Sequence, residues 1–166
     1  VVSGNRSTSA SEIVLASELV RGQSLLTIST SHVAEKISTL PWIRSISVRR
    51  SWPHTLVISV EERAPVATIT AGDFCLILGE GGVIVSSDCA LSSGLIDLIG
   101  AARSADAPGG RLLDSRLVEV MDRLASTTFR GLTVRRVDAS DPQAIRIQTT
   151  QDVLVLLGDL SGAIGR

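Results

Sequence analysis

The residues able to do chemistry are few and scattered. His32 and His54 are the only histidines, and imidazole is the usual general base or metal ligand near neutral pH. Neither has a second histidine or a cysteine close by in sequence, so capping and surface roles are expected of them. Cys75 and Cys89 are the only cysteines, without a Cys-x-x-Cys pair or a His/Cys cluster suited to zinc. They flank a predicted hairpin. A disulfide between Cys75 and Cys89 is one reading and two unpaired buried thiols the other, because sequence does not give the Cα spacing. In an oxidising compartment, closing a loop near this length would contribute about 3 kcal/mol. Gly79-x-Gly81-Gly82 has the composition of a phosphate loop, but it lacks the Gly-Lys-Ser/Thr ending and strand-like runs follow it. It reads as a hairpin turn. No Gly-x-Ser-x-Gly or Ser-x-x-Lys arrangement presents a nucleophilic serine. No catalytic residue, cofactor-binding residue or metal-ligand set is expected, and the chain reads as a non-enzyme.

Composition excludes further classes. With 44% hydrophobic and 20% charged residues the chain is globular and not disordered. A net charge of −1 argues against nucleic acid as the main partner. Adjacent residues on a strand face opposite sides, so Arg49-Arg50 and Arg135-Arg136 each put one guanidinium on a face and read as solvated strand residues. Only Trp42, Trp52, Phe74 and Phe129 are aromatic, too few for a sugar or base platform. Each tryptophan adjoins a proline at an element boundary and is expected to seal the core. No run approaches the roughly 20 apolar residues of a membrane span. The chain opens Val1-Val2-Ser3-Gly4 without a methionine and reads as a fragment or a processed form.

The elements follow from period and caps. Val1-Val2 suggests a short first strand. Ser9-Ala10-Ser11-Glu12 is a capping box, and the helix it opens places Ile13, Ala16 and Leu19/Val20 on one face, with Gly22 as its expected stop. Ser29-Thr30-Ser31 offers caps to a second helix, in which Val33, Ile37 and Leu40 form one stripe before Pro41 ends it. The period then becomes two. Ile46 and Val48 alternate with Ser45, Ser47 and Arg49, and beyond Trp52-Pro53 Leu56, Ile58 and Val60 alternate with Val57, Ser59 and Glu61. This predicts β-α-α-β-β, with two helices on one face of a three-stranded sheet. From Ala67 the chain turns mostly to strand. Gly72-Asp73 is an expected turn between Thr68–Thr70 and Phe74–Leu78, and Val83–Val85 completes the next hairpin. Residues 92–110 read as loop, Ser115 as the cap of a helix carrying Leu117, Val120, Met121 and Leu124. Three further strands are expected, at 132–137, 144–148 and 153–157, with Asp141-Pro142 turning between the first two.

Within the first half stand Val2-x-Gly4-Asn5, Glu12-Ile13, Gly22-x-x-Leu25 and Leu40-Pro41-Trp42-Ile43. They are followed by Val48-x-Arg50-x-Trp52-Pro53-x-Thr55-Leu56-x-Ile58-x-Val60 and Glu62-Arg63-x-Pro65-x-Ala67. The ordered set resembles the POTRA domain of the bacterial cell-division family FtsQ/DivIB. Phe74-x-Leu76-Ile77 with Gly82-Val83-Ile84, and Val153 to Gly158, are similar to strands of that family's β-domain. Two departures stand out: Thr149-Thr150-Gln151-Asp152 occupies a place where a glycine turn is usual, and the chain stops at Arg166, about where a further helix and the last strands should begin.

The resemblance implies an α+β chain. A POTRA domain over residues 1–67 precedes a mostly antiparallel β-domain with one or two helices over 68–166, truncated at its C-terminus. It also implies a non-catalytic scaffold of the divisome on the extracytoplasmic side of the cell membrane, anchored by a single helix upstream of Val1. Its partners would be of FtsB/DivIC and FtsL type, their main site beyond Arg166. The alternative is a POTRA module of a secretion or outer-membrane assembly system. The recognition expected is β-strand addition, in which an extended segment completes the unpaired backbone of a sheet edge. The third strand is the candidate surface, with Thr55, Val57, Ser59 and Glu61 as partner-binding residues.

Overall fold

The computed structural model describes residues 1–71, 74–126, 133–141 and 144–157. The chain is α+β and divides into two compact units, Val1–Arg63 and Ala64–Arg166. Pro65 to Ala67, read from sequence with the first unit, belong to a strand of the second.

The first unit runs β1 (Val2–Ser3), α1 (Ala10–Ala16), α2 (Thr30–Ile37), β2 (Ile43–Ser51) and β3 (Thr55–Glu62), the order expected. Ser9 Oγ accepts the Glu12 N–H and Ser29 Oγ the His32 N–H, so each helix opens on a serine cap. The α1 helix ends earlier than the Gly22 stop predicted. Ser17 Oγ donates to the Val14 carbonyl at 2.6 Å, and Glu18 takes the left-handed conformation (φ 55°) that glycine was expected to supply. Ile13, Ile28, Val33, Ile37, Ile43, Ile58 and Val60 form the core between helices and sheet. Trp42 is half-buried, but Trp52 is 64% exposed and does not seal anything. Ser51 and Thr55 are the last paired residues of the hairpin, which leaves Trp52 in the turn beyond the sheet. Nor is Arg50 merely solvated. Its guanidinium donates to the carbonyls of Leu25 and Ile28, closing orphan acceptors in the connection between the helices.

The three-stranded sheet has the order β1-β3-β2. β2 is antiparallel to β3, with Val48 opposite Ile58, while β1 is parallel to β3, with Val2 opposite the same Ile58. Gly4 then lies against β3 at φ 88°, where a Cβ would stand 2.0 Å from the Val60 carbonyl oxygen. The next residues are held by the end of β3 itself: the Glu62 carboxylate accepts the N–H groups of Arg6, Ser7 and Thr8 at 2.8 to 3.0 Å.

Burial alone would raise the Glu62 carboxyl, but the hydrogen bonds from Ser7, Thr8 and Arg6 outweigh it and hold it below its ordinary 4.5. A depressed carboxyl stabilises the fold above its unfolded pKa and loses that contribution as pH falls through the folded value. Glu62→Gln is therefore expected to cost the first unit about 1–3 kcal/mol at neutral pH, with wild type and variant converging below both pKa values. Urea titrations read by tryptophan emission check this, because Trp42 and Trp52 both lie in this unit. A constant gap down to strong acid would refute it.

The second unit contains β4 (Pro65–Ala71), β5 (Phe74–Gly79), β6 (Val83–Ser86), β7 (Ile96–Ile99), α3 (Ser115–Ser126), β8 (Val134–Asp138), β9 (Ile145–Thr149) and β10 (Leu154–Leu157). They form one seven-stranded sheet in the order β10-β9-β8-β7-β4-β5-β6. β7 lies inside the stretch expected to be loop. It pairs in parallel with β4 and with β8, joining two antiparallel meanders into one sheet. The α3 helix is the crossover between the parallel neighbours β7 and β8. Asp114, not Ser115, supplies its cap, accepting the N–H groups of Arg116 and Leu117. Asp152 adopts φ 56° in the β9–β10 turn and so does what glycine does elsewhere. The expected turns at Gly72-Asp73 and Pro142, and part of the strand beginning at Leu132, fall outside the described residues.

Candidate functional site

The two histidines are kept apart, and the glycine-rich loop is already engaged. His32 lies in the first turn of α2 with Nδ1 3.9 Å from Glu35, and His54 is exposed in the β2–β3 turn. No cluster of three or more metal-binding side chains occurs among the described residues. In the glycine-rich hairpin, the N–H of Gly81 that a phosphate would need points at both oxygens of Asp122, at 3.1 and 3.2 Å. That anchor docks α3 on the turn, and Gly82 (φ 70°) faces Val118, where a Cβ would fall 2.4 Å from a methyl group.

What remains is backbone at sheet edges. The expected edge is not one. β3 is the central strand of its sheet, with β2 on one side and β1 on the other. Thr55, Val57, Ser59 and Glu61 therefore stand on an enclosed strand, because the Val1–Gly4 segment returns alongside it. The Ile58 N–H donates to the Val1 carbonyl at 2.9 Å. Two of the side chains are engaged as well: Ser59 Oγ pairs with Ser3 Oγ, and Glu61 accepts the Ser45 hydroxyl at 2.8 Å. Sequence patterning gives the faces of a hairpin but not which strand a two-residue segment will join.

Among the described strands, the outer side of β2 carries none. Beside it, α2 and β2 enclose a shallow concavity of about 290 Å³ lined by Ala34, Glu35, Ser38, Ile43, Arg44 and Ile46. In the second sheet β6 is an end strand by order, yet its outer side is taken. Ile84 exchanges hydrogen bonds with Gly109 and Gly110, and Val83 bridges Arg111. β10 is the other end strand. It presents Leu154 and Leu156 at 60% and 62% exposure. On its other face Val155 and Leu157 meet Val120 and Leu124 of α3 and Ile147 of β9 around an apolar groove of about 350 Å³. Such an edge, apolar and without a further partner strand among the described residues, suits an extended peptide far better than a small polar substrate.

Comparison with known proteins agrees in kind. Residues 1–63 match the POTRA domain, FtsQ-type. The chain is similar to the cell division protein DivIB of Clostridium acetobutylicum, at 26% identity over 88% of this chain and 60% of that protein. It is also similar to the cell division protein FtsQ of Geobacter sp. strain M21, at 38% identity over 52% of this chain and 31% of that protein. The FtsQ of Anaeromyxobacter sp. strain K shares 30% identity over 75% of this chain and 42% of its own length. The chain thus spans less than two thirds of each of these relatives.

Proposed function

Since this chain belongs to the FtsQ/DivIB family of cell-division proteins, we propose that it is part of the extracytoplasmic region of a non-catalytic divisome scaffold. A membrane helix upstream of Val1 anchors it, and FtsB/DivIC- and FtsL-type proteins are its partners. No helix among the described residues is long and apolar enough to cross a membrane, so anchoring falls to sequence outside them. The scaffold works by β-strand addition. The observation that supports this reading is the outer side of β2, which no described strand covers, while the equivalent side of β3 is closed by β1. An added strand there would gain backbone hydrogen bonds worth about 0.5–1.5 kcal/mol each, and the α2–β2 concavity would take one of its side chains. Confinement of both partners to one membrane raises the effective concentration further. The names of the relatives favour division over a secretion module.

The test is binding of FtsB/DivIC-type and FtsL-type ectodomains to this chain and to two variants. Ala34→Arg with Ser38→Arg fills the α2–β2 concavity with charge and is expected to weaken binding about tenfold or more, a loss of at least about 1.4 kcal/mol. Leu154→Glu with Leu156→Glu changes the exposed face of β10 and is expected to leave it unaltered. The reverse pattern would move the docking edge to β10. No binding by the folded wild-type chain would count against a partner site within these residues.

A further inference from the structure

We propose that Cys75 and Cys89 are a thiol-oxidation site, closing a reversible intramolecular disulfide when the chain meets a disulfide oxidant, with Cys89 attacking first and Cys75 resolving. The site stands apart from the division reading, since it rests on the second unit alone.

Cys75 lies on β5, buried at 9% exposure and opposite Thr70 of β4. Cys89 is exposed and opens a 3-10 turn, Cys89–Ser92. In this structure both are free thiols, and they are neighbours in the fold: β5 is antiparallel to β6 with Ile77 opposite Ser86, and the 3-10 turn that follows β6 packs against β5. Neither backbone depends on the sulfurs for its place. β5 is held by β4 and β6. The turn is held by Asp88, whose side chain accepts the Ala90 N–H, and by Ser92 Oγ, which donates to the Cys89 carbonyl. Two cysteines carried to neighbouring places by independently held segments meet the first requirement for a disulfide, one that most candidate pairs fail.

The order of attack follows from accessibility and acidity. The hydrogen bond with Cys89, then burial, then the charges of Cys89 and Asp88 push the Cys75 thiol up to about 11. At neutral pH Cys75 stays protonated and sheltered, so the exposed Cys89 is the sulfur that an oxidant meets first. Having lost its proton to water, Cys89 attacks one sulfur of the oxidant, forming a mixed disulfide and expelling a thiolate that takes up a proton. Capping Cys89 takes away the neighbouring thiol whose influence holds the Cys75 thiol up. Cys75 then gives up its proton and attacks Cys89 Sγ, expelling the second thiolate. Two protein thiols are oxidised, one disulfide oxidant is reduced to two thiols, and a reductant reverses the exchange.

The experiment exposes the purified chain to oxidised glutathione, quenches with acid, and maps free thiols by alkylation after unfolding, with intact mass. Wild type should lose both alkylatable thiols, drop by two hydrogens in mass, form no disulfide between chains, yield a Cys75–Cys89 linked peptide and recover on reduction. Cys75→Ser should stop at one glutathione on Cys89, whereas Cys89→Ser should keep Cys75 unmodified. If Cys75→Ser does not fold, the wild-type mass and linked peptide still decide. Retention of two free thiols in wild type, a persistent glutathione adduct on it, or chains cross-linked through Cys89 would overturn the proposal.

Discussion

Alanine at Gly4 is expected to destabilise the first unit by about 2–4 kcal/mol. Two costs combine. A residue with a Cβ resists φ 88°, and the Cβ would stand 2.0 Å from the Val60 carbonyl oxygen, a backbone atom that cannot rotate away. Relief requires lifting residues 1–4 from β3, which breaks the parallel pairing at Ile58 and Ser59 and loosens the Glu62 bonds to residues 6–8. A domain this small has little stability to lose. With a urea slope near 1 kcal/mol/M, the tryptophan-emission midpoint should fall by about 2–4 M or the unit should be unfolded from the start. Gly22 is the control. Its φ of 87° is nearly the same, but nothing lies within 4 Å of its Cβ position, so Gly22→Ala should show only the conformational cost, about 1–2 kcal/mol. Equal midpoints for the two variants would show that the close approach to Val60 contributes nothing.

The second large effect is expected at Leu98. It is fully buried in the middle of β7, the strand that joins the two meanders, and packs in the core with Ile69, Met121, Val137 and Ile147. Leu98→Ala removes three carbons from a place fixed by strands on both sides, so the cavity cannot collapse easily. The loss should be about 3–5 kcal/mol, read as a lower denaturant midpoint in far-UV circular dichroism. Leu113→Ala is the comparison, since Leu113 is 65% exposed and should change the midpoint by no more than about 0.5 kcal/mol. Similar midpoints for the two would mean that β7 is not the core strand described.

Leu98 also marks where sequence patterning runs short. In the first unit, alternation at Ile46–Val48 and Leu56–Val60, two serine caps and Pro41 are enough to give the order of elements, because each signal is local. β7 offers no such signal. Leu95 to Ile99 is a brief run between Gly94 and Gly100 in which only Ile96 and Leu98 are buried, and two inward residues are too short an alternation to stand out from a loop. The length of α1 is not written in its glycine, because Ser17 and Glu18 make the stop. Trp52 next to Pro53 has the pattern of a core seal, and only the position of the last hairpin pair shows it lies outside. The edge expected at β3 was misplaced for a topological reason. Faces are written in period-two patterning, but whether β3 is an edge depends on where Val2 and Ser3 pair, a contact more than fifty residues away in sequence.

That same parallel pairing sets how the first unit answers to tension. The chain comes in at the N-terminal end of β1 and leaves at the C-terminal end of β3, and because the strands run the same way these points face opposite directions. A pull between residue 1 and residue 63 slides β1 along β3 instead of peeling it off. The Val1–Ile58 hydrogen bond, the contact at Gly4 and the Glu62 clasp on residues 6–8 then bear load together in shear, not one after another. Forced opening is governed by the unfolding barrier and not by equilibrium stability. A domain of modest thermodynamic stability can therefore serve as a stiff mechanical coupling, passing force from its N-terminal end to its C-terminal end without opening.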